Sequence, residues 1–241
     1  MAEVFLQLES VAKSFGALRV IDGLSLSLGE HELLGIIGPN GAGKTTLFNL
    51  ISGDMRANAG SIRFRGEDIT GHSPHARCRR GIGRSYQIPQ PFGGITVFEN
   101  LLVAASFGGA FRGGAAVSLC GEILERTGLW REANQPAASL TVLQRKRLEL
   151  ARALATQPRL LLLDEIAGGL TDPEARELVS LISEIKRSGV AMIWIEHVVH
   201  AILAVADRLM VLNFGRKLAE GAPHAVVADA EVQRVYMGIE A

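Results

Sequence analysis

The hydrophobic residues in the first third of the chain recur at spacings that are typical of strands. Some segments alternate apolar and polar residues, and one is an unbroken apolar run. From Thr45 the apolar residues instead follow a helical period, which Gly53 is well placed to end. The predicted strands are Val4–Glu9, Gly23–Leu28, Leu33–Ile37 and Ser61–Arg65.

The middle of the chain is rich in Ala, Leu and charged residues and has helical periodicity. We interpret residues 89–155 as a helical subdomain, and approximately residues 1–88 and 156–241 as the core that carries it. The sequence contains no internal repeat and no linker between independent halves, so residues 1–241 are predicted to form a single domain. The predicted helices are Val97–Ala105, Leu119–Thr127 and Val142–Ala155.

Strands and helices alternate in the last third. Four consecutive leucines, Leu160–Leu163, are typical of a parallel strand that is covered on both faces. This pattern predicts an α/β fold. The elements predicted after these leucines are a helix at Glu174–Arg187, a strand at Val190–Ile195, a helix at Val198–Ala206, and a closing hairpin of Leu209–Phe214 and Lys217–Glu220.

Composition and charge narrow the class of protein. The chain has 241 residues, of which 48% are hydrophobic and 21% charged, so a disordered protein is excluded. The 25 basic and 25 acidic side chains balance, and a nucleic-acid partner is therefore not expected. Without a secretory signal or an apolar stretch of about 18 residues, a cytoplasmic protein is expected. Cys78 and Cys120 have no metal-ligand spacing and are expected to be free thiols.

The strongest chemical signal lies between the strand Leu33–Ile37 and the next helix, where Gly38–Thr46 fills the pattern G-x-x-x-x-G-K-[ST]. Its glycines let backbone N–H groups curl around phosphate oxygens, helped by the positive end of the helix. Lys44 is expected to reach the β- and γ-phosphates, and the Thr45 hydroxyl to ligate Mg²⁺. The predicted nucleotide-binding residues here are Gly38, Asn40, Gly41, Ala42, Gly43, Lys44, Thr45 and Thr46.

Two acidic residues follow the leucine strand directly. A carboxylate at the end of a buried strand suits a partner of Mg²⁺, which is the role predicted for Asp164. Glu165 is placed to orient or deprotonate a water that attacks the γ-phosphate. Taken alone, an apolar run that ends in Asp-Glu is often only a strand end, and the phosphate loop is what makes the pair informative.

Gln87 and His197 complete the predicted site. Gln87 lies at the entrance to the helical stretch, and His197 follows a buried strand at the edge where parallel sheets bind ligands. Each has a simpler interpretation when taken alone, since a single glutamine is usually a solvated loop residue and a single histidine a structural one.

The order of these features resembles the nucleotide-binding subunit of ATP-binding-cassette (ABC) transporters over essentially the whole chain. The resemblance implies a RecA-like α/β core with a P-loop, an antiparallel β subdomain, an α-helical subdomain, and a site for ATP and Mg²⁺. It also implies that Phe15 stacks on adenine, that Gln87 senses Mg²⁺ and couples to the membrane partner, and that His197 contacts the γ-phosphate. The predicted catalytic residues are therefore Lys44, Gln87, Glu165 and His197. The predicted ligands of the metal ion are Thr45, Gln87 and Asp164.

Several longer segments are similar to the ATP-binding subunits of importers of branched-chain or other hydrophobic amino acids. The lipopolysaccharide-export ATPase shares much of the tail pattern and stays open as an alternative. The segments are GIGRSYQ, ITVFENLLVA, RKRLELARALA, DEIAGGLT, ADRLMVLNFGRKLAEG and VQRVYMG.

The chain departs from the family pattern at the signature before its long helix. The usual Leu-Ser-Gly-Gly-Gln is here Leu140-Thr141-Val142-Leu143-Gln144. The resemblance implies that Thr141 and Gln144 approach the nucleotide of a partner subunit, and a Cβ in place of each glycine is expected to weaken that approach. After Glu165, Ile166 replaces the usual proline and Thr171 the usual aspartate, which puts communication between the two sites in doubt.

The resemblance also implies partners and a location. They are transmembrane permease subunits, a second ATP-binding subunit that is identical or paralogous, and a periplasmic substrate-binding protein, at the inner face of the cell membrane. A non-transport ATPase of the superfamily is less favoured, because the chain has no coiled-coil insertion, zinc-binding cysteine cluster or second cassette. A GTPase is disfavoured by the lack of an N-K-x-D motif.

Overall fold

The structure, a computed structural model, describes residues 4–237. Gly238, which ends the segment VQRVYMG, lies outside the described residues, as do residues 1–3 and 239–241 of the predicted domain. The strands form two sheets. An antiparallel sheet of four strands has the order β2-β1-β4-β5, and a sheet of six has the order β10-β9-β3-β8-β7-β6.

The six-stranded sheet is parallel except for its edge strand β10, which pairs antiparallel with β9. The carboxyl ends of β3, β8, β7 and β6 therefore meet at one edge. The strands are β1 (Val4–Phe15), β2 (Leu18–Gly29), β3 (Leu33–Ile37), β4 (Ala59–Phe64), β5 (Glu67–Asp68), β6 (Ile82–Ser85), β7 (Leu160–Asp164), β8 (Ala191–Ile195), β9 (Arg208–Asn213) and β10 (Arg216–Gly221).

Helices cover both faces of the central sheet. The helix α3 continues as a π-helical turn over Ala104–Gly108, and another π-helical turn covers Gln233–Met237. The helices are α1 (Lys44–Ser52), α2 (Pro74–Arg79), α3 (Val97–Val103), α4 (Gly113–Arg126), α5 (Val142–Ala155), α6 (Asp172–Arg187), α7 (Val199–Leu203), α8 (Pro223–Val227) and α9 (Ala230–Val232).

Two hydrophobic cores lie on the two faces of the central sheet, and the leucine strand β7 contributes to both. Leu160 and Leu162 pack with α1 and the antiparallel sheet. Leu161 and Leu163 pack with α3, α4, α5 and α6. Successive side chains of a strand point to opposite faces, so the unbroken run of leucines is explained by a strand that is covered on both sides. The helices of the segment 89–155 share a core with this sheet, and the division into subdomains stays a prediction.

The structure confirms the predicted strands and helices and changes several of their limits. The strands β1 and β2 are longer than predicted, because register shifts let them curve past the polar residues between Leu8 and Ser14. The helix α4 begins at Gly113, six residues before the predicted start, and α7 ends at Leu203, before the predicted end at Ala206. The strand β6 and the helix α2 were not predicted.

Among the described residues, no helix combines the length and the apolar character that a membrane span needs.

Candidate nucleotide-binding site

The predicted site residues meet at the carboxyl edge of the central sheet. The phosphate loop follows β3, Gln87 follows β6, Glu165 follows β7 and His197 follows β8, and these four strands are consecutive neighbours in the sheet. Parallel strands bring their carboxyl ends to one edge, which explains how residues up to 157 positions apart, from Asn40 to His197, line one cavity. Its lining is Asn40, Gly41, Ala42, Gly43, Lys44, Thr45, Thr46, Gln87, Glu165 and His197.

The phosphate loop has the curled backbone that its glycines predict. Gly43 caps α1 with a φ of 103°, a conformation that L side chains rarely adopt. A Cβ at Gly43 would also lie 2.9 Å from the carbonyl oxygen of Val20. The loop is tied to the β9–β10 turn, where the Gly215 amide donates to the Ala42 carbonyl at 2.9 Å. The first amides of α1 therefore face the cavity from a fixed loop, as anion binding requires.

Lys44 is buried and bends back over the phosphate loop. Its Nζ donates to the carbonyl oxygens of Gly38 at 2.6 Å and Pro39 at 3.0 Å. Burial lowers the pKa of Lys44, while Glu165 and Asp164 nearby oppose that shift. The side chain is thus a cation held at the loop, within the cavity that Glu165 also lines.

Glu165 is the centre of a three-residue hydrogen-bond network. Its Oε2 accepts from Nε2 of Gln87 at 2.5 Å, and its Oε1 lies 2.7 Å from Nε2 of His197. The residue has a φ of 46°, unusual for a glutamate, and its amide donates to the Ile195 carbonyl at 2.9 Å. Such a strained backbone persists only where the surroundings hold it. Gln87 and His197 are both solvent-exposed, but neither side chain is isolated, since each contacts the Glu165 carboxylate.

Asp164 lies behind Glu165 and pairs with Arg84. The Asp164 Oδ2 and Arg84 Nη2 atoms are 2.9 Å apart, and the side chains are only 4% and 6% exposed. Burial raises the pKa of Asp164, and the guanidinium of Arg84 opposes the shift. Arg84 also contacts Asn49 and Asp54, and it stacks between the rings of Phe48 and Tyr86; all of these were missed from the sequence.

The residues fit a magnesium ion. Oxygen donors are what Mg²⁺ prefers, and Thr45, Gln87 and Asp164 line one cleft beside the phosphate loop. The second carboxylate oxygen of Asp164, Oδ1, is buried, and no hydrogen bond reaches it from any described residue. A buried oxygen without a partner is costly unless a ligand or water satisfies it. The donor set is small, as expected for an ion that takes most of its ligands from phosphates and water.

We expect Arg84→Met to lower the free energy of unfolding by about 3 kcal/mol or more, because it leaves the buried Asp164 carboxylate without its cation. Urea denaturation of the chain without nucleotide measures this change. Arg80→Met is the matched control, since Arg80 pairs with Glu67 at the surface, where solvent screens the pair, and its loss should lower the free energy of unfolding far less. Equal losses in the two variants would contradict the importance of the Arg84–Asp164 pair.

Three predicted residues lie apart from this cavity. Phe15 ends β1 with 48% of its surface exposed, and Nζ of Lys13 lies 5.3 Å from its ring centre. Thr141 and Gln144 form a capping box at the start of α5, in which the Thr141 amide donates to Oε1 of Gln144 at 2.9 Å. None of the three lines the cavity of the phosphate loop, within the part of the chain that the structure describes.

Sequence reasoning also missed Glu196 and Tyr236. Glu196 lies between β8 and His197 and is fully buried. Tyr236, near the end of the described residues, donates from its hydroxyl to the His197 carbonyl at 3.5 Å. A glutamate next to a histidine gives no signal of its own, because the contacts of both side chains come from loops far away in the sequence.

The curled loop after β3, the buried lysine and the acidic pair after β7 define a P-loop nucleotide-binding protein of the α/β class. Residues 21–168 match the ABC transporter family, and residues 216–241 match the branched-chain amino acid ATP-binding cassette transporter family. The chain belongs to the ABC transporter family, as one of its ATP-binding subunits, which are ATPases.

Curated relatives match along nearly the whole chain. The high-affinity branched-chain amino acid transport ATP-binding protein LivG of Salmonella typhimurium is 36% identical, with 99% of each chain covered. The lipopolysaccharide export system ATP-binding protein LptB of Haemophilus influenzae is 33% identical, with 95% of each covered. Among solved structures, the ADP conformation of an ATP-binding cassette of an ABC transporter has a TM-score of 0.90 and 32% identity, covering 98% of this chain and 99% of that one. The predicted fold class is thereby confirmed.

Proposed function

We propose that the chain binds ATP with Mg²⁺ at the carboxyl edge of its central sheet and hydrolyses it to power import of branched-chain or other hydrophobic amino acids. The observation that carries the catalytic part is Glu165, held between Gln87 and His197 at the mouth of the phosphate loop. A carboxylate fixed by two donors beside a phosphate site is positioned to act on a water molecule.

The phosphate loop binds and orients the nucleotide. The backbone amides from Asn40 to Thr46 surround the phosphates, and the ammonium of Lys44 turns from the loop carbonyls to the β- and γ-phosphate oxygens. Thr45, Gln87 and Asp164, which line the adjoining cleft, would hold Mg²⁺, and the ion would supply neutralisation of phosphate charge. The aromatic ring of Phe15 offers a face to adenine from the end of β1.

Glu165 takes the proton of the attacking water. Its hydrogen bonds to Gln87 and His197 fix both carboxylate oxygens, so little reorganisation is needed when the water arrives. His197 is the more exposed partner and contacts the γ-phosphate, while Gln87 faces the cleft that Asp164 and Thr45 also line. The chemistry of the protein is therefore positioning and a single proton transfer.

A second ATP-binding subunit completes the site. Thr141 and Gln144 lie away from the chain's own phosphate loop, at the exposed start of α5, which suits contact with nucleotide on another subunit. The positive end of α5 adds to the attraction for phosphate. We infer that two such subunits, identical or paralogous, enclose two ATP molecules and that hydrolysis separates them.

The match of residues 216–241 to the branched-chain family supports amino acids as cargo, as does the likeness to LivG. Transmembrane permease subunits and a periplasmic substrate-binding protein are the implied partners, which puts the chain at the inner face of the cell membrane. No nucleic-acid partner is implied. Lipopolysaccharide export is the alternative, favoured by the likeness to LptB.

Reconstitution in proteoliposomes tests this proposal. The chain is combined with the permease subunits of a branched-chain amino-acid importer, and ATP hydrolysis is measured with and without a leucine-loaded binding protein. Stimulation by leucine-loaded binding protein, absent with empty binding protein, is the expected result. Hydrolysis that responds to lipopolysaccharide instead would assign the chain to export, and no ATP hydrolysis in any mixture would reject the proposal.

The departure in the signature gives a further prediction. Val142 is 61% exposed at the first position of α5, so its side chain stands on the surface that would meet the partner's phosphates. We expect Val142→Gly with Leu143→Gly to raise ATP turnover of the assembled complex, because removing the two side chains permits closer backbone approach. Phosphate release, sampled at fixed times, measures the ATP turnover rate. Unchanged or lower turnover, with the subunits still assembled, would contradict the prediction.

A further inference from the structure

Glu196 is a buried carboxylate that the catalytic scheme above does not use. It lies between the last residue of β8 and His197, with 0% of its surface exposed. Charged side chains are rarely buried to this degree unless they are paired or fully hydrogen-bonded. Its contacts therefore show what holds it inside the protein.

The carboxylate of Glu196 joins two loops. Its Oε1 accepts the amide of Ala167 at 2.6 Å, two residues after Glu165. Its Oε2 accepts the amide of His197 at 3.0 Å and faces the Val198 amide at 3.5 Å. Burial raises the pKa of Glu196, and these three amides oppose that shift. One oxygen thus holds the loop that follows β7, and the other holds the loop that follows β8.

The helix α5 reaches the same place through Lys146. This lysine is buried, and its Nζ lies 3.5 Å from the Glu165 carbonyl oxygen. Burial lowers the pKa of Lys146, and the charges of Glu196 and Glu165 oppose that shift. A cation from α5 therefore contacts the backbone of Glu165, four residues after Val142 at the start of the helix.

We propose that Glu196 is a positioning residue for hydrolysis. Its carboxylate clamps the β7 and β8 loops together and so sets the 2.7 Å contact between Glu165 and His197. Lys146 connects the backbone of Glu165, on one side of this clamp, to α5, so that a displacement of α5 changes the position of Glu165. The inference rests on the proposed ATP hydrolysis, because it assigns Glu196 a part in that reaction.

Replacement of Glu196 by glutamine tests whether the hydrogen bonds of this side chain, rather than its volume, are needed for hydrolysis. Glutamine has nearly the same size, yet only its carbonyl oxygen accepts, so its NH₂ group would meet an amide that also donates. One of the two loops then loses its hydrogen bond to the side chain of residue 196. A misplacement of about 1 Å in a catalytic group can cost about 10²-fold in rate.

The test compares the full-length wild type with Glu196→Gln, His197→Ala and the double variant, recording kcat and KM for ATP, nucleotide affinity and melting temperature. Glu196→Gln should lower kcat about tenfold or more while ATP affinity is retained. The double variant should lose less than the product of the two single losses, because Glu196 acts partly through His197. An unchanged kcat, or multiplied losses in the double variant, would overturn the proposal.

Glu32→Gln is the matched control. Glu32 also accepts a backbone amide, from Gly29 at 2.6 Å, and it pairs with Arg208 away from the phosphate loop. It should change stability and leave kcat unaltered. If Glu196→Gln does not fold, Lys146→Met is measured in its place. A fall in kcat that Lys146→Arg restores would support the proposal. A wild-type kcat in Lys146→Met would overturn the proposal. A wild type that binds ATP but does not hydrolyse it, even when assembled with its partner subunits, would instead reject the proposed function.

Discussion

Glu165→Gln is expected to slow ATP hydrolysis by about 10²–10⁴-fold, the contribution typical of a general base, while ATP remains bound. The carboxamide keeps the size of the side chain and removes only its ability to take a proton. The surrounding residues accommodate the change. Gln87 can still donate to the new carbonyl oxygen, and His197 can accept from the new NH₂ group through Nε2 in its other neutral tautomer.

Two measurements check this prediction. Phosphate release gives the hydrolysis rate, and light scattering with and without ATP–Mg²⁺ shows whether the trapped nucleotide brings two subunits together. Glu184→Gln, on the exposed face of α6, is a control that should hydrolyse at the wild-type rate. Normal hydrolysis by Glu165→Gln would reject its role as the base. A variant that holds ATP yet stays monomeric would indicate that a different ATP-binding subunit is required.

The site could be predicted from the sequence where the signal is local. The glycine pattern of residues 38–46 fixes the shape of the phosphate loop, and the strand before it and the helix after it have distinct periodicities. The position of Glu165 and His197 at one edge follows from the rule that parallel strands end at the same edge of a sheet. Both residues lie just after strands whose apolar pattern predicts a parallel sheet. Gln87 had no such support, because the strand β6 before it is only four residues long and includes Gly83 and Arg84.

The contacts that hold these residues could not be predicted, because their partners are remote. Arg84 and Asp164 are 80 positions apart, and Ala167 and Glu196 are 29 apart. Arg84 looks like an ordinary charged residue at the end of a glycine-rich stretch, and only the pairing of β6 with β7 brings it to Asp164. Periodicity describes which face a residue occupies and contains no information on which distant loop it meets.

The predicted limits of the helices were wrong for a related reason. Gly113 and Gly114 are poor helix formers, so no local pattern indicated that α4 begins before Leu119. In the structure, Ala116 and Cys120 of this helix are buried against the shared core. Packing against the neighbouring helices overrides the low propensity of the first turn.

Lys44→Ala is expected to abolish tight nucleotide binding. In the structure the Lys44 ammonium is buried against the carbonyls of Gly38 and Pro39, close to where phosphate oxygens would lie. The charge-assisted hydrogen bonds to the phosphates contribute about 1.5–3 kcal/mol each. The loss of two such bonds raises the dissociation constant by about 10²-fold or more. Titration with a fluorescent ATP analogue measures the constant, with Lys217→Ala at the surface as the control.

The same burial predicts that the Lys44→Ala protein stays folded. Burial lowers the pKa of Lys44, so its ammonium group contributes less to the stability of the protein without nucleotide than a solvent-exposed cation with the same partners would. Removing that charge should therefore leave the melting temperature without nucleotide close to that of the wild type. The rise in melting temperature on adding ATP–Mg²⁺ should disappear, because that rise depends on binding to the folded state. A variant with a lower melting temperature that still rises with nucleotide would show that Lys44 holds the loop rather than the phosphates.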